Sequence, residues 1–152
     1  MQHGCNPESD ARKNKIVLDL QQRFGALERK HPNRHDWYSL KADKIEIFIT
    51  DSQAHYAERP WFDMERRDIK LLAEHPAGFV VFILGDADTY LVVPAKRLQD
   101  ELKNYVAGRR KAPRGFYHFN LLLPGKAFAQ LPNFDLHPYL KNLQLIQSAI
   151  DQ

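Results

Sequence analysis

Two acidic residues stand on neighbouring apolar runs of this chain, Asp36 in Asp36-Trp37-Tyr38-Ser39-Leu40 and Glu46 in Ile45-Glu46-Ile47-Phe48-Ile49-Thr50. The aromatic and β-branched content of both runs predicts strands, and Ala42-Asp43-Lys44 between them is short enough to close a hairpin. Carboxylates on adjoining strands can share a hard cation such as Mg2+, which takes oxygen ligands and, set between a phosphodiester and a water, promotes hydrolysis. A lysine nearby would orient or activate that water and balance charge on the phosphorane. Lys44, two residues before Glu46, can share its face on an extended strand, and Lys41 and Lys70 are the other candidates. Plain structural roles explain the same acids: Asp36 as a strand-start residue accepting backbone hydrogen bonds, Glu46 as the solvent side of an edge strand.

Positive charge is clustered, although the net charge is only +3. Arg109, Arg110, Lys111 and Arg114 form one group, Arg66, Arg67 and Lys70 a second, and Arg59 precedes the latter. Cations in such groups displace condensed counterions from nucleic acid, and guanidinium groups fit phosphate in a bidentate way. A solvated surface without a partner accounts for either group equally well. Trp37, Tyr38, Tyr56, Trp61 and Phe62 are of the type that stacks on unpaired bases, but core packing also explains them, and Trp61-Phe62 before a helix cap reads as a hydrophobic staple. His118 and Asn120 could reach a base edge from a strand, or simply line a half-exposed sheet edge.

Other chemistry is excluded by what is missing. There is no GxxxxGK[ST] loop, GxGxxG turn, GxSxG elbow or HExxH pair, and of the seven histidines only His31 and His35 stand four apart, with Pro32 between them to stop the helix that a zinc pair at that spacing would need. The single cysteine, Cys5, precludes an intrachain disulfide. No apolar run approaches the roughly 20 residues that cross a bilayer, and the first residues lack a signal peptide's basic and apolar regions, so no membrane association and a cytoplasmic location are expected.

The elements that must position these residues follow from periodicity. Ile16, Val17, Leu20, Phe24 and Leu27 trace one face of a helix over residues 11–31, with Ser9 or Asp10 as cap and Pro32 as stop. Residues 51–60 read as a polar loop, and Asp63 as the N-cap of a helix striped by Met64, Leu71 and Leu72 with Ile69 at its edge, ending near His75-Pro76. Phe79 to Leu84 is an unbroken apolar run predicting a strand buried on both faces, followed by a turn, a second strand over residues 89–93, and a helix carrying Leu98, Leu102, Tyr105 and Val106. Residues 116–123 predict another strand, and Asp135 caps a last helix with Leu136, Leu140, Leu143 and Ile146 inward. The expectation is a mobile tail over residues 1–10 and one globular domain over 11–152, of α/β or α+β class, with a central mixed sheet flanked by helices.

In this order, and in Ile45-Glu46-Ile47-Phe48 where a (D/E)-x-K triplet would fall, the chain resembles the PD-(D/E)XK superfamily of restriction-endonuclease-like nucleases. The resemblance covers roughly residues 11–102. It implies a restriction-endonuclease-like core, DNA as partner, hydrolysis of phosphodiesters with Mg2+, Asp36 and Glu46 as the catalytic and metal-binding acids, and a homodimer as one way of cutting two strands. The chain departs from the pattern at Phe48, which stands where the family carries its lysine; Lys44 is then the substitute. The same fold without catalysis, as a nucleic-acid-binding or assembly module, and a binding domain of another fold are the alternatives.

Overall fold

The computed structural model describes residues 7–31, 34–52, 61–85, 88–107, 114–122 and 127–152. Its centre is the strand Gly78–Ile83 (β5), buried at every position, as its apolar run requires. β5 runs parallel to Ile45–Asp51 (β3) and antiparallel to Tyr90–Pro94 (β6). Beyond β3 lie Arg34–Leu40 (β2) and Leu27–His31 (β1), each antiparallel to its neighbour, giving a five-stranded mixed sheet of order β1-β2-β3-β5-β6. A second sheet consists of Trp61–Glu65 (β4), Phe116–Leu122 (β7) and Ala127–Phe128 (β8). The architecture is mixed α/β.

Because side chains alternate along a strand, the large sheet separates two apolar layers. On one side Ile45, Ile47, Ile49, Phe79, Val81 and Ile83 meet Ile16, Leu20 and Phe24 of the helix Pro7–Phe24 (α1) and Ile146 of the helix Gln144–Asp151 (α4). On the other, Trp37, Val80, Phe82, Leu91 and Val93 meet Ile69 and Leu72 of the helix Arg66–Glu74 (α2), Leu98 of the helix Ala95–Glu101 (α3), and Phe62, Phe119 and Phe128 of the second sheet. Phe82 is the hub of that layer, with ring centroids 5.1 Å from Phe62 and 5.2 Å from Phe128.

Four expectations are corrected. The first helix begins at Pro7, inside the expected tail, and stops at Phe24 rather than near His31, because Gly25 takes φ +103, a left-handed conformation that ends a helix at low cost. Leu27 and its successors then become strand β1, paired with β2. Trp61 to Glu65 is a strand rather than a staple and cap, so Asp63 is not the N-cap of α2; Glu65 occupies that position. Leu71 is 45% exposed, and the buried stripe of α2 is Asp68, Ile69 and Leu72. The last helix starts at Gln144; after Asp135 come a 3-10 turn at His137–Tyr139 and Lys141 at φ +50.

At Gly78 the end of α2 comes close to the sheet. A Cβ there would lie 2.2 Å from the backbone carbonyl oxygen of Leu72, an atom that cannot swing aside. Gly78→Ala is therefore expected to destabilise the fold by about 1–3 kcal/mol, the usual range for overpacking, seen as a lower urea midpoint with an unchanged denaturant slope.

Candidate functional site

The hairpin between β2 and β3 sets the faces of the two acids. Leu40 pairs with Ile45 across the four-residue turn Lys41 to Lys44, and Trp37 with Phe48. Ser39 stands opposite Glu46, so Glu46 shares a face with Trp37 and Ser39. Asp36, one residue before Trp37, points to the opposite face, where its carboxylate meets the ammonium of Lys13 on α1 at 3.2 Å. The expected pairing of Asp36 and Glu46 around one Mg2+ is thus overturned: a strand's two-residue period places the carboxylates on opposite sides of the sheet.

Glu46 is instead a partnered core residue, 7% exposed. Its Oε1 accepts the indole N–H of Trp37 at 3.0 Å, and its Oε2 lies 3.3 Å from the Nζ of Lys30. Phe48, where the resemblance would place a lysine, packs edge-on against Trp37 with centroids 5.9 Å apart. Lys44 does not join Glu46. Its amine donates to the backbone carbonyls of Ile150 and Gln152, the latter at 2.7 Å, and so closes the C-terminal end of α4.

The turn itself is unusual, since Lys41, Ala42 and Asp43 all have left-handed φ values of 56°, 52° and 67°. Non-glycine residues enter that region at a cost, so surrounding bonds must hold it. Lys30 donates to the Asp43 carboxylate at 3.2 Å, and His75 Nε2 lies 2.7 Å from the Asp43 carbonyl oxygen. The Ala77 N–H donates to His75 Nδ1 at 2.9 Å, which leaves that nitrogen unprotonated and makes Nε2 the donor. The bonds from Lys30 and then Ser39 hold the Asp43 carboxyl below its ordinary value of 3.8, and the bond to Asp43 holds the Lys30 ammonium above its ordinary 10.5.

One acid that sequence reasoning passed over does share the Asp36 face. Asp51, which closes β3 two residues after Ile49, is 4% exposed, and its Oδ2 accepts Arg12 Nε at 3.0 Å and Nη2 at 2.6 Å. Alternation from the inward-facing Ile45, Ile47 and Ile49 pointed to it. Consecutive residues of α1, Arg12 and Lys13, therefore grip Asp51 and Asp36.

Of the cationic groups, Arg59 and Arg109, Arg110 and Lys111 lie outside the described residues. Arg66, Arg67 and Lys70 are exposed on α2, and Arg114 is exposed just before β7. The backbone N–H of Arg66 donates to the carbonyl of Gly115 at 2.8 Å, which joins Arg114 to the α2 group. The Arg66 guanidinium sits over the Tyr117 ring at 4.2 Å from its centroid, a cation–π contact that fixes the position of the charge. Among the described residues the ion pairs of lysine and arginine engage Arg12, Lys13, Lys15, Lys30 and Arg97, not these four.

A further polar pair links the strands of the second sheet. Asp63 stands opposite His118, and Asp63 Oδ1 lies 2.6 Å from His118 Nδ1. The Tyr105 hydroxyl donates to the backbone carbonyl of His118 at 3.0 Å and accepts its N–H at 3.1 Å. Neither partner stood out in the sequence as half of a pair, because 55 residues separate them. No family model, curated protein or solved structure matched this chain when it was compared with them. No described helix is long and apolar enough to cross a membrane.

Two outcomes follow for this region. Glu46→Ala removes the acceptor of the Trp37 indole N–H and one of the two acids at Lys30, and should destabilise the fold by about 1–3 kcal/mol; Glu46→Gln, which keeps an acceptor for Trp37, should lose less, with chemical denaturation followed by tryptophan fluorescence as the measure. Asp43 has a depressed carboxyl pKa, so its contribution is complete above the ordinary value of 3.8 and fades as pH falls through the folded value. Asp43→Asn should thus melt below wild type at neutral pH, with the gap closing in acid.

Proposed function

We propose that this chain is a nucleic-acid-binding protein on a restriction-endonuclease-like core, holding the phosphates of DNA through Arg66, Arg67, Lys70 and Arg114. The observation that carries this reading is the Arg66 to Gly115 backbone bond, which draws Arg114, far away in sequence, to the exposed cations of α2. Arg66 is held in place by Tyr117 before any ligand arrives, so less conformational freedom is lost when a phosphate docks on it. The chain order supports the core: α1, an antiparallel hairpin, α2, and a strand parallel to the hairpin's second strand. The engagement of Glu46 with Trp37 and Lys30, and of Phe48 with Trp37, favours binding without cleavage by the Asp36 and Glu46 pair.

The shared face of Asp36 and Asp51 favours a second reading, in which Mg2+-dependent phosphodiester hydrolysis rests on those two acids and Arg12 and Lys13 hold them until the cation arrives. Plasmid incubated with Mg2+ or Mn2+ separates the two. Cleavage that Asp51→Asn abolishes and Glu46→Gln spares supports the second reading, while intact plasmid leaves binding alone.

For the leading reading, the logarithm of the affinity for a short DNA duplex should fall linearly with the logarithm of salt concentration, and Arg66→Ala or Arg67→Ala should each reduce that slope by about one. Fluorescence anisotropy across a salt titration is the measurement, and salt-insensitive binding, or none, overturns the proposal.

A further inference from the structure

The outward face of β4 and β7 lies beside the basic surface and carries side chains that phosphate contacts do not use. Phe62, Met64 and Phe119 point into the core, so alternation turns Trp61, Asp63 and Glu65 of β4 and Phe116, His118 and Asn120 of β7 the other way. All of these are part-exposed except His118, which is 1% exposed. The Trp61 ring lies 5.3 Å from the His118 ring, tilted by 40°. Arg114 precedes Phe116 on β7 and Arg66 follows Glu65 on β4, so both cations stand at one end of this face.

His118 supplies an independent sign of a ligand. An ionised Asp63 only accepts hydrogen bonds, so the proton it binds is on His118 Nδ1. Nε2, on the other side of the ring, is buried and has no hydrogen-bond partner among the described residues. A buried acceptor left unpaired is unfavourable, and every nucleobase carries an amino or imino N–H able to supply the missing donor. Two acids share the face, yet Asp63 is bound to His118, and Glu65 stands next to Arg66 at the cationic end.

We propose that the outward face of β4 and β7 is a stacking platform for single-stranded nucleic acid, with Trp61 and Phe116 beneath successive bases, His118 Nε2 accepting from a base, and Arg66 and Arg114 holding the flanking phosphates. This inference rests on the nucleic-acid reading above and adds strandedness to it. A duplex keeps its bases stacked on one another and cannot use the aromatic rings, whereas an unpaired strand can, and stacking is tolerant of sequence because every base has a π-face.

The test is anisotropy with labelled oligothymidylate, oligodeoxyuridylate, oligouridylate and a DNA duplex, each of about 15 nucleotides, at one salt concentration. The single strands should bind tighter than the duplex, and the preference between oligodeoxyuridylate and oligouridylate, which carry the same base, identifies the sugar. Trp61→Ala should weaken single-strand binding by at least about fivefold while leaving duplex binding and the salt slope unchanged. Trp61→Phe should restore the affinity, which guards against a loss that merely reflects unfolding. Trp37 is 2% exposed, so quenching of tryptophan emission by bound oligothymidylate reports Trp61 and should vanish in Trp61→Phe. Salt-sensitive duplex binding combined with unchanged single-strand affinity in Trp61→Ala, or with no quenching, overturns the platform and leaves the basic surface standing. Failure of every oligonucleotide to bind overturns both.

Discussion

The parallel pairing of β3 with β5 is the constraint from which the rest of the molecule follows. Both strands are covered on both sides, so each side chain must enter either the layer of α1 and α4 or the layer of α2, α3 and the second sheet. No position on these strands is neutral. A polar residue placed there needs partners from the layer it enters, which is how Glu46 comes to hold Trp37 and Lys30, and Asp51 to hold Arg12. Acids that look equivalent in composition thereby acquire different neighbours and different roles.

This separation of layers also separates structure from recognition. In the large sheet Asp36, Glu46 and Asp51 are held in internal bonds. The second sheet has one face in the core and one face outward, and just before β7 the carbonyl of Gly115 accepts the N–H of Arg66 at the start of α2. Exposed Arg66 and Arg114 and the part-exposed rings of Phe116 and Tyr117 gather at that junction. A rigid core with a half-covered sheet at its flank is a sound basis for binding an extended polymer, since side chains projecting from strands keep their spacing while the ligand conforms.

Much of the central sheet was legible in the sequence. β5, β6 and β7 are apolar runs bounded by turn residues, and no long-range partner is needed to recognise them. Leu27 illustrates the opposite case: it continues the helical spacing of Ile16, Leu20 and Phe24, and only the left-handed Gly25 and the pairing of Leu27 with Leu40 make it a strand residue. Asp63 has the chemistry of a helix cap, but its strand partner β7 lies far along the chain, beyond the reach of local pattern. The acids turned on a single residue of loop length. A four-residue turn puts Asp36 and Glu46 on opposite faces, whereas a turn one residue shorter or longer would have brought them to the same face. Composition fixes which residues can do chemistry, and register decides which of them meet.

The amine of Lys44 ties the turn between β2 and β3 to the carbonyl end of α4, across 106 residues of chain. α4 has eight residues, too few to persist as an isolated helix in water, and Ile146 is its one fully buried side chain. Its hydrogen bonds therefore live only as long as its docking does. Amide deuterium uptake along α4 becomes a remote gauge of the left-handed turn: whatever loosens Lys41 to Asp43 speeds exchange in a helix that never touches them by sequence.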